Sequence, residues 1–212
     1  MIKEVCIENF TDVPKLIKLG ADRFELNNDL AAGGLTPSFG VMKKTIAYSH
    51  KHNVPVMVMI RPRAGDFVYS DDEIQMMQDD IQVASLLGAD GVVFGCLTSE
   101  NHLDKDAMSK LIILAKTLTL PVVMHMAFDE IAENEWSNTI DWLSTHGVTR
   151  ILTHGGQLSE PIQKTILNLK KIMQLAEGKI EILPGGGINA ANVDEIDDEL
   201  HNDQYHGSKI IY

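Results

Sequence analysis

At 212 residues the chain has the length of one large domain with room for a sizeable core. A formal net charge of −12 lacks the basic footprint of a nucleic-acid-binding protein, and the longest apolar run, Val54–Ile60, is too short to span a bilayer. Two cysteines far apart, Cys6 and Cys96, make no disulfide framework, and the opening residues enter a strand pattern with no signal-peptide core; both features point to a reduced, cytoplasmic setting.

Strands and helices alternate along the chain. Ile2–Glu8 reads as a strand and Asp12–Leu19 as a helix stopped by Gly20. Arg23–Asn27 is the second strand, and Ser38 caps a helix running to about His52. Val54–Ile60 is a strand apolar throughout, as expected where both faces are covered. Ser70 and Glu73 form a capping box for a helix over Asp71–Leu87. Gly91–Gly95 is a strand, followed by a helix over Asp104–Leu118. Pro121–His125 is the next strand, with a helix over Glu133–His146. Arg150–Thr153 and a helix over Glu160–Ala176 follow. Lys179–Leu183, a short helix over Ala191–Leu200 and a strand at Gln204–His206, which Lys209–Tyr212 would prolong, complete the series.

Eight strands alternating with helices predict parallel βαβ units, in α/β architecture, and a single-domain (β/α)₈ TIM barrel over residues 1–212. The helix-stop cassette at Leu19–Phe24 recurs at Leu87–Val92 and His146–Ile151. No eighth helix follows the last strand, so the barrel is expected to be open or loosely covered on one flank, a place for self-association.

Strand alternation assigns the lumen. With the apolar residues packed outward on the helices, Glu4, Cys6, Glu8, Arg23, Glu25, Asn27 and Glu181 face inward, and Gln204 shares a face with His206. Glu4 and Arg23 read as a structural ion pair. Glu8, Asn27, Arg61, His125 and His206 stand at strand C-terminal ends, the face where such barrels perform chemistry.

Two groups of residues there suggest a function. Arg61 and Arg63 end a buried strand, and guanidinium forks suit carboxylates and phosphates, although an internal Arg–Asp bridge to Asp66 serves equally. Gly185, Gly186 and Gly187, with Ser208 after the last strand, form loops that can cradle a phosphate. His125, with Asp129 orienting its ring, is a general acid/base candidate beside Glu8. These residues suit an isomerase, lyase or aldolase-like step on a small anionic metabolite; no lysine stands at a strand end for a Schiff base. Met124 and Met126 alternate with His125, which argues against their converging on one soft metal ion.

The chain resembles the copper homeostasis protein CutC family. The segments that carry the resemblance run almost end to end: Glu4–Glu8, Gly20–Leu26, Ala32–Ser38, Met59–Ser70, Gly88–Gly95, Ala127–Asp129, Pro184–Gly187 and His206–Ser208. The resemblance implies a TIM barrel, a cytoplasmic location, a role in copper tolerance or trafficking, and a homo-oligomer such as a dimer. It implies Cu(I) bound by two cysteines, one matching Cys6; in this chain Cys6 would be helped by a partner thiol or by His206. The position of the second cysteine is occupied here by Asn27, in Glu25-Leu26-Asn27, and His125-Met126 stands where the family reads His-Arg.

Overall fold

The computed structural model describes residues 1–212. Eight parallel strands form one sheet: β1 (Ile2–Glu8), β2 (Arg23–Asn27), β3 (Val56–Met59), β4 (Gly91–Phe94), β5 (Val122–Met124), β6 (Arg150–Thr153), β7 (Glu181–Pro184) and β8 (Gln204–Gly207). Seven helices connect them: α1 (Val13–Lys18), α2 (Phe39–His50), α3 (Asp71–Leu86), α4 (Lys105–Thr117), α5 (Trp136–His146), α6 (Ile162–Ala176) and α7 (Val193–Leu200). The strand order β7-β6-β5-β4-β3-β2-β1-β8 is that of an eight-stranded (β/α) barrel. The capping box forms as expected, with the Ser70 hydroxyl accepting from Glu73 N and the Glu73 carboxylate accepting from Ser70 N. No helix is long and apolar enough to cross a membrane.

Alternation sorts most side chains as the sequence indicates, except that Glu8 and Glu181, expected inward, are exposed. Val5, Ile7, Phe24, Leu26, Val58, Phe94 and Ile151 face the helices in the main core. The lumen is half polar and half apolar. Glu4, Arg23, Glu25, Asn27, Gln204 and His206 are buried on the β8-β1-β2 side, and Met57, Met59, Val93, Val123, Leu152 and Leu183 fill the rest. Glu181 lies exposed, where it accepts from Arg150 and Gln204.

The barrel is unzipped at one seam, because β7 and β8 share no ladder. A side-chain amide and a loop-to-tail backbone bond close it instead. The Asn202 amide donates to Ile182 O (3.1 Å) and Gln204 O (2.7 Å), and Ala190 N donates to Lys209 O at 2.9 Å. Lys209–Tyr212 does not prolong β8. The tail turns away after Gly207, buries Ile210 completely and lays Tyr212 under Lys15 Nζ of α1, 5.0 Å from the ring centroid. The tail thus packs through Ile210 and Tyr212 on part of the flank that has no helix. Replacing Asn202 by alanine leaves the Ile182 carbonyl short of its donor and should lower stability by about 1–3 kcal/mol. A lower urea midpoint at unchanged slope would show this; an unmoved midpoint would show that the seam holds without it.

Candidate functional site

The ladder register builds the polar wall. Glu4 lies level with Arg23 on one side and His206 on the other, and Cys6 lies level with Glu25. The Glu4 carboxylate accepts from Arg23 Nε and, at 2.8 Å, faces His206 Nδ1. Burial alone would raise the Glu4 carboxyl, but the His206 hydrogen bond and the Arg23 guanidinium outweigh it and hold the pKa at about 2. Burial would lower His206; the Glu25 and Glu4 carboxylates outweigh it and raise the imidazole.

One layer higher, Cys6 Sγ donates to Glu25 Oε2 at 3.4 Å, and the Asn27 amide donates to both Cys6 Sγ (3.4 Å) and Glu25 Oε2 (2.8 Å). Burial, reinforced by the Glu25 charge, raises the Cys6 thiol well above its ordinary value. Burial likewise raises Glu25. Cys6, Glu25 and His206 each present a ligand atom, all within 4.8 Å of one another. Asn27 fits because Gly34 packs against it: a Cβ at Gly34, whose φ is +87°, would come within 2.4 Å of Asn27 Oδ1.

Cys6, Glu25, Asn27 and His206 line a cavity of about 470 Å³ at the C-terminal face. Arg61 and His125 form the opposite wall, and Gly186, Gly187, Ser208 and Lys209 line it from the β7 and β8 loops. Arg61 is buried, donating from Nη1 to Ala32 O and Gly34 O (both 3.1 Å) and from Nη2 to Gly65 O (2.6 Å), while Phe67 stacks 4.9 Å from the guanidinium carbon. His125 Nδ1 accepts from Ala127 N at 3.1 Å, so the neutral ring carries its proton on Nε2. Burial first, and the Arg61 charge second, lower the His125 pKa to about 3.

Other expected site residues lie elsewhere. Asp129 does not orient His125. Its carboxylate accepts from Thr153 Oγ1 (2.5 Å), His154 N (2.9 Å) and Gly155 N (3.0 Å), tying down the loop after β6, and burial raises its pKa to about 6. Arg63 is spent on Glu73 (2.5 Å), Asp66 (3.0 Å) and the Val68 carbonyl, away from the cavity. Glu8 is exposed and accepts from Leu30 N at 3.0 Å. Gly185 packs against Leu152 and Met126, and its own N–H donates to Thr153 O. Met126, expected opposite His125, shares the cavity with it, because β5 ends at Met124 and a 3₁₀ turn over Met126–Glu130 cancels the alternation. His154 and Lys209 carry no local sequence signal that singles them out. His154 Nδ1 lies 3.1 Å from both Gly185 O and Gly186 O, fixing the glycine loop, and Lys209 enters the cavity just past β8.

Comparison with known proteins gives this architecture a lineage. A profile described as the CutC family matches residues 1–211. The chain belongs to the CutC family. A CutC family protein of Enterococcus faecalis is 47% identical over 211 residues, covering 100% of both chains. A human protein named copper homeostasis protein cutC homolog is 40% identical over 92% of this chain and 68% of its own. A crystal structure of CutC from Streptococcus agalactiae, 43% identical, superposes with a TM-score of 0.95 over 99% of each chain. CutC proteins are thus this chain's relatives in sequence and in fold.

The Glu4 ion network yields a stability test. Glu4→Gln leaves Arg23 buried without its carboxylate and should cost about 3–5 kcal/mol at pH 7. The Glu4 carboxyl is depressed in the fold from 4.5 to about 2, so its contribution is full above pH 4.5 and disappears as pH falls toward 2. Urea unfolding of both proteins across that window should show the gap narrowing; a gap constant with pH would contradict the assignment.

Proposed function

We propose that this chain handles copper in the cytoplasm, taking Cu(I) between Cys6 Sγ and His206 Nε2. The observation that carries the reading is the convergence of the Cys6, Glu25 and His206 ligand atoms within 4.8 Å. Thiolate and imidazole suit Cu(I), whereas the Glu25 carboxylate is a harder donor that supplies charge more than affinity. His206 is oriented as metal-binding histidines usually are, with the ring nitrogen away from the metal held by a carboxylate, here Glu4. The family name of the relatives, copper homeostasis, supports the same reading. The proposal includes a homo-oligomeric assembly, which light scattering reads directly.

Asn27 takes the position from which a second thiol would reach Cys6, its amide nitrogen being 3.4 Å from Cys6 Sγ. Anaerobic Cu(I) titration of reduced protein against a competing chelator tests the site. Binding at one site should vanish in Cys6→Ser and tighten at least about tenfold in Asn27→Cys. Stoichiometric binding that survives Cys6→Ser would remove Cys6 as the ligand.

A further inference from the structure

A copper ion leaves most of this cavity unexplained. Seven buried side-chain polar atoms in the chain have no hydrogen-bond partner, and four of them belong to residues lining this one space: Glu25 Oε1, Asn27 Oδ1, Arg61 Nε and His125 Nε2. An unpartnered buried polar atom costs about 1–3 kcal/mol, so four at one place mark a site built for something polar. A cation at Cys6 and His206 could satisfy Glu25 Oε1. It could not satisfy Arg61 Nε–H or His125 Nε2–H, which are donors and need an acceptor. At about 470 Å³ the space is also of the size that takes small organic ligands.

The charges and the loops say which kind. Arg61 is a buried guanidinium with no carboxylate partner, held by backbone carbonyls and an aromatic face with the Tyr69 hydroxyl beside it. The ion pairs of this acidic chain leave out both Arg61 and Lys209. In the loop after β7, Gly186 and Gly187 have φ of +78° and +76°, and the N–H groups of Gly186, Gly187, Ile188 and Ser208 donate to no atom of the chain. His154 fixes this loop by its carbonyls, which leaves its N–H groups free. Successive unpaired N–H groups beside a lysine are an oxyanion cradle. On the other side, Asn27 Oδ1 and Glu25 Oε1 are acceptors that need hydroxyl donors.

We propose that the cavity binds a small hydroxylated phosphate ester, with the phosphate on the Gly186–Ile188 loop, Ser208 N and Lys209, and an oxygen of the organic part on Arg61 Nε and His125 Nε2. The hydroxyls of such a ligand meet Asn27 and Glu25. This site needs no metal and, apart from Glu25, which both readings use, it draws on atoms that a Cu(I) ion at Cys6 and His206 leaves free.

The test is calorimetry on copper-free protein, treated with chelator, against glycerol 3-phosphate, ribose 5-phosphate and glucose 6-phosphate. Ribose, glycerol and inorganic phosphate serve as controls. At least one ester should bind with Kd below about 1 mM and at least about tenfold more tightly than inorganic phosphate or its own dephosphorylated form. Lys209→Ala, an exposed position at which folding is not at risk, should weaken that ester about fivefold or more, and Arg61→Lys should weaken it with an unchanged circular dichroism spectrum. No ester binding more tightly than inorganic phosphate, or binding indifferent to Lys209→Ala, would overturn the proposal.

Discussion

The Glu4 carboxylate lies between two cationic partners on neighbouring strands, Arg23 on β2 and His206 on β8, with no exposure to speak of. A charge placed there survives only if both its oxygens are engaged, and they are. Sliding β1 by one residue would put Glu4 among Phe24 and Tyr205 in the apolar outer layer and Val5 in the polar lumen. The network therefore fixes the register of β8, β1 and β2. That register sets Cys6 level with Glu25 and turns His206 Nε2 toward both. Breaking such a buried network leaves an uncompensated charge, so its worth lies in specifying the arrangement more than in net stability.

The pocket above this network is assembled from three independent walls. The β8-β1-β2 wall offers a thiol, a carboxylate and an imidazole. The wall at the ends of β3 and β5 offers donors, Arg61 and His125, with the imidazole held neutral by burial and by its cationic neighbour. The loops after β7 and β8 offer backbone N–H groups. Soft-metal chemistry uses only the first wall. A phosphate ester bound as proposed would use the other two and also reach Glu25 Oε1 and Asn27 Oδ1 on the first; the four unpartnered side-chain atoms lie on the first and second walls. As proposed, copper and a metabolite would share one cavity and meet at Glu25, so a ligand in one part would change access to the other.

Much of the barrel was legible in the sequence because its signals are local. The Ser70–Glu73 capping box, the glycines that stop α1, α3 and α5, and the alternation in Glu4-Val-Cys-Ile-Glu8 each depend on a few adjacent residues. Strand-end position also located Asn27, Arg61, His125 and His206 on one pocket, and strand alternation added Cys6. It failed for Glu8, Arg63 and Asp129, because a charged residue after a strand can serve the next loop as readily as a ligand. Arg63 has Glu73 only ten positions ahead of it, and Asp129 meets three donors from the β6 loop that no local pattern announces. Lys209 was hidden for a related reason: read as strand, it would have continued β8, whereas the tail turns to close the seam and carries it into the cavity.

X-ray absorption at the copper edge, on protein loaded with one equivalent of Cu(I), tests the metal reading most directly. The expected result is a ligand shell containing a single sulfur together with imidazole scattering, from Cys6 and His206. A shell of oxygen and nitrogen alone, unchanged in Cys6→Ser, would contradict it and make the copper association of the family indirect for this chain.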